Sequence, residues 1–239
     1  MEHRPGPAAD AALPPGAAEA LSRLVSLLAA SPHNLVSRRE RTTLAEVHVP
    51  ECIGVATVLD PAPGSAWLDL GTGGGLPGLV LAIVRPDVHW TLVDATAKKV
   101  AAVQGFIAEL GLRNARAIAG RAERLAREEA HRERYDGVVS RALARLVVAA
   151  ELSRGFVRDG GVVAAVKGPR WREELAEAEP AMGLLRLQHV GVTPVPGAVR
   201  RTVVVTMRAD GPVPPAYPRR DGLPASAPLG RRASEGVAQ

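Results

Sequence analysis

The chain has 239 residues, of which 46% are hydrophobic and 23% charged, the make-up of one core-forming domain with tails rather than of three domains. Its single cysteine, Cys52, excludes an internal disulfide framework and a cysteine-rich zinc site, and 3% aromatic residues argue against modules that stack bases on Phe and Tyr. The net charge of +5 permits a polyanionic partner; apart from Lys98, Lys99 and Lys167 the 30 basic residues are arginines, which suits phosphate and equally suits a GC-rich coding bias.

Residues 1–16 are Pro, Gly and Ala with few charges and read as a disordered leader. The opening, with Glu2, Arg4 and two nearby prolines, is a poor secretory start, and no apolar run approaches the ~18 residues of a membrane helix, so a cytoplasmic location is expected. Residues 17–60 read as a helical extension. A helix is predicted over 19–30, with Leu21, Leu24, Val25 and Leu28 on one face. A polar stretch carrying Arg38, Arg39 and Arg41 follows, then a second apolar helix over 51–59. From 65 to 208 short apolar runs alternate with helical stretches. Strands are predicted over 66–70, 89–93, 115–119, 136–140 and 161–167, and helices over 77–84, 96–110, 122–131, 143–156 and 173–182. Residues 184–192 and 201–208 read as a closing β pair around the turn at 194–197. This alternation implies an α/β fold whose parallel sheet is covered on both faces. The stretch 209–239 is rich in Pro, Gly, Ser and Arg and reads as a disordered tail.

The chemistry concentrates in Asp69-Leu70-Gly71-Thr72-Gly73-Gly74-Gly75, directly after the first strand of the sheet. Glycines let the backbone take positive φ and approach a ligand, and ligands of open parallel sheets bind beyond the carboxyl ends of the strands. The run from Gly73 to Gly78 satisfies G-x-G-x-x-G, the dinucleotide signature, but starts two residues past Gly71, where the strand already turns. Asp69 would repel a pyrophosphate and suits the sulfonium and ammonium of S-adenosylmethionine. Asp94, ending the second strand, can accept from both ribose hydroxyls. The pattern favours a methyl donor over a dinucleotide.

Together these residues resemble the RsmG (GidB) family of 16S ribosomal RNA guanine-N7 methyltransferases. The resemblance is carried by the loop at 69–78, by Asn34-Leu35-Val36-Ser37, His48, Leu92-Val93-Asp94 with Lys98-Lys99-Val100, and Arg121-Ala122-Glu123. Later in the chain Ser140-Arg141-Ala142, Ala165-Val166-Lys167-Gly168 and Arg200 extend it, so that it spans about 34–207. It implies a class I S-adenosylmethionine-dependent methyltransferase fold, Rossmann-like, with a seven-stranded mostly parallel sheet and an N-terminal helical extension. It also implies a donor bound through Gly71, Leu76, Ala122, Glu123 and Arg141, beside the Asp69, Gly73 and Asp94 read from the residues. The chain departs from the family where Glu51-Cys52 replaces the usual Asp-Ser after His48.

Guanine N7 carries an exposed lone pair, so no catalytic base is nominated, and no metal is expected; catalysis should come from proximity and alignment. Arg141, Lys167 and Arg200 are candidates to hold the phosphates of 16S rRNA in the small ribosomal subunit, with the Arg38–Arg41 group as a further possibility. The expected protein is a monomer. The rival readings are a methyltransferase of the same fold acting on a small molecule or a protein, and an NAD(P)-dependent oxidoreductase.

Overall fold

A computed structural model describes residues 13–33 and 35–230. The leader over 1–12, Asn34, the end of the tail over 231–239, and the side chains of Arg38 and Arg39 lie outside the described residues.

The apolar runs pair into one sheet: β1 (Ala66–Leu70), β2 (His89–Asp94), β3 (Ala115–Ala119), β4 (Tyr135–Arg141), β5 (Val157–Lys167), β6 (Leu187–Pro194) and β7 (Val203–Ala209). The strand order is β3-β2-β1-β4-β5-β7-β6. The first five strands are parallel, and β7 inserts antiparallel between β5 and β6. The chain winds outward from β1 to β3 and then returns to place β4 on the other side of β1. The carboxyl ends of β1 and β4 therefore flank the point where the winding reverses, where such sheets open a crevice.

The helices are α1 (Ala17–Ala30), α2 (Arg38–Arg41), α3 (Val49–Leu59), α4 (Gly78–Val84), α5 (Ala97–Glu109), α6 (Ala122–Leu125), α7 (Leu146–Arg154), α8 (Trp171–Leu185) and α9 (Leu223–Ser226), with a π-helical turn at Leu44–His48. Two apolar cores result, one on each face of the sheet. On the first face α4 is buried along its whole length because the sheet lies beneath it and α1 and α3 lie above it, so its sequence is apolar all round. The N-terminal extension is thus a second layer over that face, held by Leu21, Leu24 and Leu28. Within the same core Trp67 and Trp90 face each other at 6.0 Å. Gly137 of β4 leaves room for the Trp67 ring, which a Cβ there would meet at 2.5 Å.

Two expectations change. The helix predicted over 122–131 ends at Leu125, and the chain continues in turns, because the Arg132 guanidinium takes the Ala126 carbonyl (3.1 Å) and that of Tyr217 (3.1 Å). The tail is ordered as far as Gly230: Arg219 pairs with the buried Glu151 at 2.7 Å, and Arg154, fully buried, donates to Leu185, Val157 and Gly211 carbonyls. Polar anchoring together with the burial of scattered residues such as Val213, Pro218 and Pro224 holds this segment, which leaves no periodic pattern in the sequence.

Candidate active site

The loop after β1 is shaped by glycines in the left-handed region, Gly71 at φ 75°, Gly73 at 57° and Gly75 at 96°. Its start is tied to the end of β2, where the Gly71 and Thr72 amides donate to the Val93 carbonyl at 2.8 and 2.9 Å. Its end is tied to Asp69, whose Oδ2 accepts from Thr72 Oγ1 at 2.6 Å and from the Gly78 amide at 2.9 Å. Asp69 is 1% exposed, and its Oδ1 has no partner. Burial pushes its carboxyl up to about 6 despite the hydrogen bonds from Thr72 and Gly78. Asp69 therefore lies beneath the loop and holds it; it does not line the crevice, which corrects its expected place beside the cations of the donor.

Two adjoining cavities open at the carboxyl ends of the strands. The first, about 310 Å³, is lined by Gly71, Gly73, Leu76, Asp94, Lys99 and Leu143 among others. Asp94 accepts from the Gly73 amide (3.0 Å) on Oδ2 and from the Thr96 amide (2.8 Å) on Oδ1, which leaves lone pairs on both oxygens for a ligand. The second, about 400 Å³, is lined by His48, Glu51, Lys167, Glu174, Arg200 and Thr202 among others. Glu40, Arg141 and Ala142 belong to both walls.

Arg141, the last residue of β4, is the centre of this shared wall. Its Nη1 donates to Cys52 Sγ at 3.3 Å and its Nη2 to His48 Nδ1 at 3.0 Å. Glu51 Oε1 lies 3.6 Å from Nε, and Glu40 Oε1 lies 3.9 Å from Nη2. Thr202 Oγ1 donates to the other oxygen of Glu51 at 3.0 Å. Burial pushes the Cys52 thiol up to about 12, so the sulfur meets the guanidinium as a neutral group. Burial disfavours the charge on Arg141, but Cys52, Glu51 and Glu40 together raise its pKa above the ordinary value. The Glu51-Cys52 departure thus lies on Arg141: it supplies an acid and a small weak acceptor.

Lys167 is 9% exposed and engaged inside the protein, donating to the Ala144 carbonyl and to Glu174 Oε2 at 2.8 Å. The same Glu174 oxygen accepts from the Leu146 amide at 2.8 Å, so one carboxylate joins β5, α7 and α8. Arg200 is exposed at the mouth of the second cavity and makes no ion pair among the described residues. Ala122 and Glu123 lie to one side, at the end of β3, linked to the crevice by the Gly120 amide, which donates to the Asp94 carbonyl at 3.0 Å. Glu123 Oε1 accepts from Arg121 Nη2 at 2.7 Å and from the Gly222 amide at 2.9 Å. Of the residues expected to bind the donor, Gly71, Gly73, Leu76, Asp94 and Arg141 share one wall; Asp69, Ala122 and Glu123 do not. The reading missed Glu40, although its capping box with Ser37 follows the readable S-x-x-E pattern, and it missed Glu174 and Thr202, which carry no local signal.

The strand order, the single antiparallel strand and the glycine loop at the reversal point define a class I methyltransferase fold with an N-terminal helical layer. Residues 17–203 match the family model described as GidB, rRNA small subunit methyltransferase G, and the chain belongs to that family. It is similar to the ribosomal RNA small subunit methyltransferase G of Deinococcus deserti, 47% identical over 166 residues that cover 68% of this chain and 67% of that protein. The protein of the same name from Deinococcus radiodurans is 37% identical over 223 residues, 91% of this chain and 87% of that one. Among solved structures, Aeropyrum pernix fibrillarin with natively bound S-adenosyl-L-methionine shares the fold at a TM-score of 0.51 and 16% identity, over 67% of this chain and 76% of that one. Among the described residues no helix is long and apolar enough to cross a membrane.

Proposed function

We propose that the protein transfers a methyl group from S-adenosylmethionine to N7 of a guanine in 16S rRNA of the small ribosomal subunit. The observation that carries this reading is the pair of cavities sharing the Arg141 wall, one for the donor and one for the base. The first cavity suits the donor: Asp94 has acceptors for two ribose hydroxyls, Lys99 and Arg141 offer cations for a carboxylate, and Leu76 and Leu143 offer apolar surface. Bound there, S-adenosylmethionine would supply an electrophilic methyl on a sulfonium, which the exposed lone pair of guanine N7 could accept without a base.

No proton leaves the base, so the residues of the site need only align and exclude water. Arg141 is held by His48, Cys52, Glu51 and Glu40 and fixes the wall between donor and acceptor. Glu40 and Glu51 place negative charge beside a base that becomes positive. Arg200, free at the mouth, suits a phosphate of the RNA backbone. Lys167 serves the site indirectly by holding Glu174 and the Ala144 carbonyl. One chain builds both cavities, in keeping with a monomer, and we place it in the cytoplasm with its ribosomal substrate.

The test is transfer of labelled methyl to small subunits from a strain lacking this gene, followed by digestion to nucleosides. Label in 7-methylguanosine is the expected result. Binding of S-adenosylhomocysteine without label in RNA would redirect the substrate to a small molecule or a protein, and binding of NAD alone would overturn the donor.

A further inference from the structure

Residues 210–230 lie beyond the stretch matched by the family model, yet they are fastened to the domain at several points. Arg219 reaches both oxygens of Glu151, at 2.8 and 2.7 Å, and its amide adds a third bond at 2.9 Å. Arg127 holds the Ala216 carbonyl at 3.2 Å, Arg132 holds that of Tyr217 at 3.1 Å, and the Val213 amide donates to Glu133 at 2.7 Å. These ties deliver Asp221 and Gly222 to α6. Asp221 pairs with Arg124 at 2.7 Å, and the Gly222 amide donates to Glu123 Oε1 at 2.9 Å. Arg121 donates to the same oxygen at 2.7 Å. Both donors therefore converge on Oε1, and among the described residues no hydrogen bond from another residue to Oε2 is seen.

We propose that this strap is a working part of the donor site: the Gly222 amide fixes Glu123 so that its second oxygen accepts from the exocyclic amine of the donor's adenine. The inference rests on the reading of Glu123 as a donor-binding residue. A loose carboxylate would have to be ordered at each binding event, whereas one held by two donors is already placed. The carboxyl is also kept ionised: burial would raise its pKa, but the Gly222 amide, Arg121 and the residue's own amide together outweigh burial and lower it. Gly222 is a positioning residue, and φ 75° there suits glycine. A fixed acceptor at this place selects an amine and rejects a carbonyl oxygen.

Calorimetry on the full chain with S-adenosylhomocysteine and S-inosylhomocysteine, which carries a carbonyl oxygen in place of the amine, tests this. The unaltered protein should bind the adenosyl compound at least about tenfold tighter, the worth of one hydrogen bond to a charged group. Glu123→Ala should erase that preference. Gly222→Pro, which lacks the amide proton and cannot take the observed φ, should weaken the adenosyl compound about tenfold and add no further loss in the Glu123→Ala background. Asp221→Asn, at an exposed pair, should give a smaller loss in the same direction with an unchanged melting temperature. Equal affinities for the two compounds, or a Gly222→Pro loss that persists undiminished without Glu123, would overturn the inference while leaving the methyl-donor reading intact. No binding of S-adenosylhomocysteine by the unaltered chain would instead remove that reading, and this inference with it.

Discussion

Arg141 Nη2 and His48 Nδ1 meet at 3.0 Å across the shared wall of the two cavities. A guanidinium can only donate, so Nδ1 accepts and the His48 ring is neutral with its proton on Nε2. Burial first, and then Arg141, holds its pKa below the ordinary 6.5, against Glu40 and Glu51, which pull it up. This contribution to stability is whole above 6.5 and is lost as the pH falls through the lowered folded value. Melting temperature and methyl transfer should both decline on that acidic limb, and the limb should vanish in His48→Gln. Observed by NMR, the His48 titration midpoint should lie below 6.5 and move up in Arg141→Gln.

Asp69 acts with the opposite sign. Its carboxyl is raised from 3.8 to about 6, so the folded chain keeps a proton that the unfolded chain releases, and stability declines as the pH rises through that window. Asp69→Asn should remove this slope, since an amide oxygen still accepts from Thr72 and Gly78. Asp69→Ala strands both donors and should cost about 2–3 kcal/mol in urea unfolding.

Glycine substitutions separate close approach from mere helix propensity. A Cβ at Gly71, where φ is 75°, would meet Leu143 Cδ1 at 2.5 Å, so Gly71→Ala should lose about 1–3 kcal/mol and most affinity for S-adenosylhomocysteine. Gly105, inside α5, has nothing within 4 Å of such a Cβ, so Gly105→Ala should raise stability by about 0.5–1 kcal/mol with affinity unchanged.

Lys167 and Arg200 share the second cavity but should behave differently toward RNA. Arg200→Ala should leave the melting temperature alone and reduce the log-log salt slope of subunit binding by about 1, the mark of one lost phosphate contact. Lys167→Met strands the Glu174 carboxylate and should lower the melting temperature without changing that slope.

The sheet, its order of elements and the glycine loop were legible because near-continuous apolar strands and clustered glycines are local signals. The direction of Asp69 was not: its place before the loop suggested a ligand, whereas the Gly78 amide and Thr72 hydroxyl turn the carboxylate inward. The partners of Arg141 come from α2, the π-helical turn and α3, about ninety residues earlier in the chain, a distance that no spacing rule bridges. The strap escaped for a related reason. Arg219 and Glu151 are 68 positions apart, and either alone reads as an ordinary surface charge.

The chain's three tryptophans are unevenly placed. Trp67 and Trp90 sit in the core near the amino ends of β1 and β2, away from the crevice, while Trp171 stacks under the Arg172 guanidinium at 4.3 Å. Excitation at the indole band is thereby a built-in optical gauge of the sheet. Emission from Trp67 and Trp90 should stay flat through a titration with S-adenosylhomocysteine and shift red when β1 and β2 part, so that unfolding of the sheet can be followed without a label and without interference from ligand binding.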